Sequence, residues 1–218
     1  MRHFLSAILV VLIALGLFES CQDAGTAPPT APPVTAIAGS LDSLFATQQD
    51  TVFVTLSGGT PPYSILTAPN ASVASATLTG TTLRIVSANI GSSSVTIGDA
   101  STIQGTKTFP VIVESPVLFA STVQTIFNSS YGCSGCHPSS GSLSLNSTSV
   151  SYLNLVGVQA QAGCVTKKRV LPRDPDNSAL YMRLAGTCDN RMPKGGNPVS
   201  STDLLTVRKW IRQGAKNN

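Results

Sequence analysis

The sequence predicts a multidomain protein in which an all-β sandwich is followed by an all-α domain. Two observations support this prediction. Residues 39–115 are rich in Thr, Ser, Val and Gly, and apolar and polar side chains alternate along them, which is the period of a half-buried strand. From residue 116 onward, apolar residues recur three and four positions apart, which is the period of a helix. We therefore expect the boundary between the two domains near residue 115.

Residues 1–20 are typical of a signal peptide. The apolar run from Phe4 to Phe18 follows a basic start, and at about fifteen residues it is short for a membrane span. Cys21 follows this run as in a bacterial lipoprotein processing site, so we expect cleavage before Cys21 and acylation of its thiol. An uncleaved anchor and ordinary signal cleavage nearby remain the alternatives.

Residues 21–38 contain two Pro-Pro pairs among Ala and Thr, a composition that cannot build a core. We expect a semi-extended tether that holds the rest of the chain off the membrane. The leader and the lipid each predict an exported protein, at the periplasmic face of a membrane or at the cell surface. Disulfides persist in those compartments.

The segment 39–115 has the strand pattern of a two-sheet sandwich. Gly and Pro at 58–62 and Gly at 80 supply breaks between strands. The segment has no Cys, no His and few carboxylates, so we expect no chemistry there. A spacer and an adhesive module for carbohydrate or protein both remain open. The alternating stretches are Val52–Leu56, Leu83–Ile85, Val95–Ile97 and Phe109–Val113.

The segment 116–218 has the pattern of several helices. The first of them leads into a cysteine-rich turn, and the last carries an apolar stripe that includes Trp210. Either of two residues can cap the third helix, Asn177 or Ser178, and either of two the fourth, Ser200 or Ser201. The expected helices are Phe119–Phe127, Val150–Val156, a third through Leu184 and a fourth that ends near Gly214.

The string Cys133-Ser-Gly-Cys136-His137 is the attachment pattern for a c-type haem. Two cysteines three apart on a helical turn project the same way, so both thiols can reach one edge of a flat porphyrin, while the histidine takes one face of the iron. A thioredoxin-like dithiol, a structural zinc half-site and chance are the alternatives. A dithiol enzyme would show a βαβ pattern and zinc a second ligand pair, and neither pattern is present.

Met192 is the candidate for the other face of the iron. The second histidine of the chain, His3, lies in the expected leader, so two-histidine ligation is excluded. Met182 lies in a predicted helix, where methionine is commonly core filler. Pro193 disfavours a helical conformation at Met192, which favours an extended loop that points a side chain at a metal. Lysine, such as Lys194 or Lys167, would first have to lose its proton.

The cysteine count agrees with this assignment. Five cysteines divide without remainder if Cys133 and Cys136 hold haem, Cys164 pairs with Cys188, and Cys21 is acylated. The predicted bridge would close a loop that leads toward Met192 and contribute on the order of 3 kcal/mol to stability.

Several motifs of residues 116–218 resemble the single-haem cytochrome c domains of exported bacterial proteins, including the planctomycete-type domains. The resemblance implies that Cys133, Cys136 and His137 bind haem and that Met192 is the distal ligand. It departs at Arg173, where a small Gly is common, so the loop 170–176 is expected to differ in shape. The motifs are the haem string, Gly141–Leu145, Val170–Tyr181, Cys188–Pro193 and Arg208–Ala215.

Residues 39–115 likewise resemble bacterial immunoglobulin-like surface domains. The stretches that carry this resemblance are Ser57–Ile65, Ala74–Leu78 and Pro110–Val113. The two resemblances together predict a membrane-tethered lipoprotein that carries single electrons on one covalent haem c and is not an enzyme. Two rivals remain: a surface adhesin or binding module with an accessory haem domain, and a haem peroxidase or sensor.

Charge is distributed unevenly along the chain. Residues 116–218 hold eleven Lys and Arg against four Asp, whereas residues 39–115 hold two against four Asp and Glu. Such a basic surface can attract an acidic redox partner, and a merely solvated face is the alternative. Nucleic acid is not indicated, because no basic cluster is interleaved with aromatic residues.

Overall fold

The computed structural model describes residues 35–218. Residues 35–218 form one compact unit. The predicted signal peptide 1–20, the predicted lipidation site Cys21 and most of the predicted tether 21–38 lie outside the described residues. The division at residue 115 stays a prediction.

Eight strands form two four-stranded sheets that pack face to face. The first sheet has the order β1-β3-β6-β5 and is antiparallel. The second has the order β2-β8-β7-β4, in which β2 pairs parallel with β8. The strands are β1 (Ala38–Gly39), β2 (Leu44–Thr47), β3 (Thr51–Ser57), β4 (Ser64–Thr67), β5 (Ala74–Thr79), β6 (Thr82–Ser87), β7 (Gly91–Gly98) and β8 (Thr106–Glu114).

The alternation predicted for the strands is present. In β3, Val52, Val54 and Leu56 are buried, and Phe53 between them is exposed. Because side chains of a strand point alternately to opposite faces, this pattern puts one face of each sheet into a shared apolar core. At the β5–β6 hairpin, Gly80 has a φ of +56°, which a residue without Cβ adopts without strain.

The helices are few and short. A π-helical turn, Phe119–Val123, runs into α1 (Gln124–Asn128), which precedes α2 (Cys133–Cys136). The later helices are α3 (Thr148–Leu155), α4 (Ala179–Ala185) and α5 (Ser201–Arg212), with short 3₁₀ turns at Ser140–Ser142 and Pro175–Asn177.

The predicted fold class, a sandwich followed by an all-α domain, is contradicted. The described structure consists of two four-stranded sheets and few short helices, and the chain between α3 and α4 contains only the 3₁₀ turn Pro175–Asn177. Gly157, Pro172 and Pro175 interrupt any helix there, and Arg173 has a φ of +72°. Isolated bridges join this segment instead, at Val156 with Val170, Gln159 with Lys168, and Lys168 with Ser178.

A second apolar core lies among the short helices. Phe119 lies at its centre, 5.0 Å from the ring of Trp210 and 5.3 Å from that of Tyr152. Helix α5 begins at the cap Ser200, whose Oγ accepts a hydrogen bond from the main-chain N of Asp203 at 3.1 Å. The buried residues of this core include Phe127, Leu145, Leu155, Val170, Leu184, Val207 and Ile211.

Ionic and aromatic contacts join helix α5 and the loop around Arg173 to the sandwich. The Arg212 guanidinium lies 4.3 Å from the centre of the Phe45 ring and donates to Glu114 at 2.6 Å. Arg173 donates to the carbonyl oxygen of Phe45 at 2.8 Å and lies 3.6 Å from the Asp50 carboxylate. These contacts fix the helical core, and the cleft within it, against the second sheet.

Candidate ligand-binding cleft

The Cys133–Cys136 turn forms the short helix α2. Gly132 precedes it with a φ of +67°, and its carbonyl oxygen accepts a hydrogen bond from the main-chain N of Cys136 at 3.0 Å. Both cysteines are free thiols; Cys133 is half-buried and Cys136 is exposed. His137 ends the turn, with Nδ1 2.8 Å from the carbonyl oxygen of Ser140. The turn therefore holds the imidazole in place through the backbone.

An open apolar cleft of about 270 Å³ adjoins this turn. Cys133, His137 and Met192 line it together, although Met192 is far away in sequence, whereas Cys136 is not one of its walls. The structure thus brings three of the four predicted site residues to one place. The remaining walls are Phe127, Ser140, Gly141, Leu143, Leu145, Leu155, Ala160–Ala162, Arg169, Ala179, Leu180, Arg183 and Leu184.

Three contacts hold Met192 at the cleft. Its main-chain N donates to the carbonyl oxygen of Arg183 at 2.9 Å. Arg183 in turn forms an ion pair with Asp189 in the same loop. A disulfide between Cys164 and Cys188, with a Cα–Cα distance of 5.9 Å, ties this loop to the segment that carries Ala160–Ala162. Two walls of the cleft are therefore covalently linked.

The Cys133 thiol is less acidic than an ordinary cysteine. Burial raises its pKa, because the apolar surroundings disfavour the charged thiolate. At neutral pH the thiol is protonated, and a protonated thiol is a weak nucleophile. Cys133 consequently contributes an apolar surface to the cleft.

Arg169 is the one buried cation among the walls of the cleft, and no sequence motif points to it. Its relative exposure is 6%, and its donors contact the main-chain oxygens of Asn154, Gly141 and Ser142 at 2.8–3.1 Å. The run Lys167-Lys168-Arg169 predicts only a charged surface, and nothing in it distinguishes the third residue. Arg169 is buried because its two neighbours form backbone bridges, Lys168 with Gln159 and Val170 with Val156.

No protein-family model matches the chain, and no curated protein matches it. Solved structures with partial similarity include domains 4 and 5 of the S-layer protein SbsC, at 19% identity and a TM-score of 0.31. That match covers 37% of this chain and 51% of the other. A nucleoside hydrolase-related hypothetical protein from Saccharophagus degradans, associated with carbohydrate metabolism, matches at 12% identity and a TM-score of 0.28, over 37% and 25% of the two chains. The chain thus spans about half of the first of these proteins and a quarter of the second. Similarity this remote carries no argument about function.

The predicted cytochrome c domain and its haem c are contradicted. Within residues 35–218, no three His, Cys, Asp or Glu side chains lie together as a group that could hold a metal ion. No haem-domain model matches the chain, and the described structure as a whole has two four-stranded sheets and few short helices. The same findings contradict the predicted resemblance to an immunoglobulin-like lipoprotein with a cytochrome c domain. They also contradict the predicted iron binding and electron transfer. The roles of Cys133, Cys136, His137 and Met192 in binding stay predictions.

A disulfide fits a location outside the cytoplasm, where thiols are not kept reduced. Within residues 35–218, no helix has both the length and the apolarity to cross a bilayer. The sandwich provides a rigid support and the cleft provides a concave apolar surface.

Proposed function

We propose that the protein is an exported binding protein that holds an apolar small molecule in the cleft beside helix α2. The observation that carries this proposal is the open cleft itself. Small-molecule sites are concave and mostly apolar, with a few polar groups among their walls. The cleft of about 270 Å³ has this form, because most of its lining side chains are apolar.

The walls explain how such a ligand is held. Leu155 of α3, Leu180 and Leu184 of α4, and Leu143 and Leu145 of the connecting loop supply apolar contact from several sides. Each Å² of apolar surface removed from water contributes about 25 cal/mol, so a ligand that fills the cleft gains several kcal/mol before the cost of its ordering.

The location and partner proposed here follow from the sequence. A lipid on Cys21 would hold the protein at a membrane, and the cleft would face an exported partner. The loops joined by the disulfide are basic, which favours an acidic partner protein. Binding and not catalysis is the proposed role. In residues 160–168 and 186–196 the basic residues are Lys167, Lys168, Arg191 and Lys194, and the single acid is Asp189.

The test is the binding of the neutral fluorescent probe N-phenylnaphthylamine to the full-length exported protein. We expect saturable binding by the wild type and at least tenfold weaker binding by Leu180→Trp, which fills the cleft. The matched control is Leu205→Trp, because Leu205 is 62% exposed on α5 and is not a wall of the cleft. Equal binding by both variants would place the probe elsewhere and contradict the proposal.

The intact mass of the purified protein provides an independent measurement. Export from a host that supplies the natural ligand should yield a species heavier than the processed polypeptide with its lipid on Cys21. Native mass spectrometry then identifies the added or retained molecule, and Leu180→Trp should show less of it. A purified protein that shows no retained molecule and no probe binding would argue against the cleft as the functional site.

A second candidate function is adhesion through the outer face of the first sheet. Phe53 is 59% exposed on the central strand β3, and its cross-strand neighbour is Arg84 of β6. An exposed aromatic beside a guanidinium on a rigid sheet favours contact with a carbohydrate or a protein. Phe53→Ser should abolish retention of the full-length protein on immobilised glycans, and unchanged retention would exclude this face.

A further inference from the structure

Arg169 is a buried cation with no acidic partner. Its relative exposure is 6%, and none of the ion pairs within residues 35–218 includes it. Its guanidinium donates only to main-chain carbonyl oxygens, from Nη1 to Asn154 at 2.8 Å and from Nη2 to Gly141 at 3.1 Å and Ser142 at 2.8 Å. Carbonyl oxygens hold the side chain in place, but they leave its charge uncompensated.

The acidic residues of this part of the chain are all engaged elsewhere, so none of them neutralises Arg169. Each of the four Asp residues of 116–218 has its own partner: Asp174 accepts from Asn177, Asp176 from Arg208, Asp189 from Arg183 and Asp203 from Tyr131.

An unpaired buried charge is costly, and arginine does not escape the cost by losing its proton near neutral pH. Burial lowers the pKa of Arg169 from its ordinary value, which is the expected sign for a cation removed from water. An anion placed in the cleft would compensate the charge at short range in a medium of low dielectric. The other arginine of the cleft wall, Arg183, already has Asp189.

We infer that the ligand of the cleft is an apolar acid, an amphipathic molecule whose anionic oxygens pair with Arg169 while its apolar body fills the remaining volume. This inference rests on the proposed function and adds the chemical class of the ligand. Arg169 is then the residue that determines specificity, because it distinguishes an acid from a neutral molecule of the same shape. The carbonyl oxygens of Asn154, Gly141 and Ser142 hold the guanidinium in position.

A matched pair of probes tests the inference on the wild-type protein. Anilinonaphthalene sulfonate has the ring system of N-phenylnaphthylamine and adds one sulfonate. A charge-assisted contact is worth about 1.5–3 kcal/mol, so we expect the sulfonate to bind more tightly by roughly ten- to a hundredfold. Tight binding of the neutral probe with no gain from the sulfonate would overturn the inference and leave the proposed function standing. Binding of neither probe would remove both.

Variants assign the preference to one side chain. Arg169→Gln should bind the two probes with equal affinity, and Arg169→Lys should keep part of the preference for the sulfonate. Lys168→Gln removes a neighbouring exposed charge and is the matched control. A preference that persists in Arg169→Gln but is lost in Lys168→Gln would assign it to the surface and overturn the inference.

A salt titration covers the case in which Arg169→Gln does not fold. A buried ion pair is screened much less than an exposed one, so the preference of the wild type should persist at high ionic strength. A preference that disappears as salt rises would contradict the role of Arg169.

Discussion

Nη2 of Arg212 lies 2.6 Å from Oε1 of Glu114 and so joins the last turn of helix α5 to the last residue of strand β8. Both side chains are mostly removed from solvent, with 27% and 20% of their surfaces exposed. Gln213 donates to the same carboxylate at 3.4 Å. This carboxylate therefore collects two donors at the junction between the sheet and the helical core.

The first prediction concerns this junction. Glu114→Gln should lower the free energy of unfolding by about 1–2 kcal/mol, because it removes the charge that compensates a largely buried guanidinium. Urea denaturation measures the change. The control is Asp42→Asn, whose ion pair with Lys107 is exposed and should contribute about 0.5 kcal/mol or less. Equal losses of unfolding free energy in the two variants would show that the contacts of Glu114 stabilise the protein no more than an exposed ion pair does.

The second prediction concerns Asp99. Hydrogen bonds from the Ser101 hydroxyl and from the main-chain N of Thr60 and Gly105 lower the pKa of Asp99 from 3.8 to about 2. Because the pKa in the folded state lies below that of the unfolded chain, its stabilisation is complete above pH about 4 and is lost as the pH falls toward 2. The wild type should therefore lose stability as the pH falls from about 4 toward 2, and Asp99→Asn should lose less over the same range. Urea denaturation midpoints at each pH measure the difference.

An NMR titration of the Asp99 carboxyl provides the direct measurement. A midpoint near the ordinary pKa of 3.8 would contradict the second prediction.

The third prediction concerns the two free thiols. Iodoacetamide should modify the exposed Cys136 faster than Cys133, which is half-buried and has a raised pKa. N-phenylnaphthylamine in the cleft should slow the reaction of Cys133 and leave Cys136 unaffected. Peptide mass spectrometry after timed labelling measures both rates. Protection of both cysteines, or of neither, would show that the probe does not bind beside Cys133.

The fourth prediction concerns the Cys164–Cys188 disulfide. The double variant Cys164→Ser/Cys188→Ser should lower the free energy of unfolding by about 3 kcal/mol, because the unfolded chain gains the freedom of an open loop. It should also weaken probe binding, since Ala160–Ala162 and Met192 are then no longer linked. Cys136→Ser is the control and should change neither quantity. An unchanged affinity in the double variant would show that the loops hold their places without the covalent link.

The sequence predicts well the features that depend on local patterns. The alternation of Val52, Val54 and Leu56 is a local property, and these residues are buried as it predicts. The spacing of Cys133 and His137 likewise depends on a single turn, and both residues line the cleft, while their role in binding stays a prediction.

Features that depend on distant pairs could not be predicted in the same way. The parallel pairing of Leu44 with Val111 and the bridge of Val156 with Val170 join residues whose patterns give no sign of one another. The prediction of an all-α domain was wrong in the segment between Val156 and Val170. Helical periodicity in the short segments on either side says nothing about the chain that connects them. The burial of Arg169 follows from the same bridge and has no local signature.

The position of Arg173 connects the support of the protein to its binding surface. The residue keeps a backbone conformation that favours glycine, while its side chain contacts Phe45 and Asp50 of the sandwich and its main-chain N donates to Ile211. Four residues earlier, the same backbone carries Arg169 into the cleft. A mechanical load on the sandwich, such as tension on an anchored protein, would therefore be transmitted along this short stretch of chain to the cleft wall that contains Arg169.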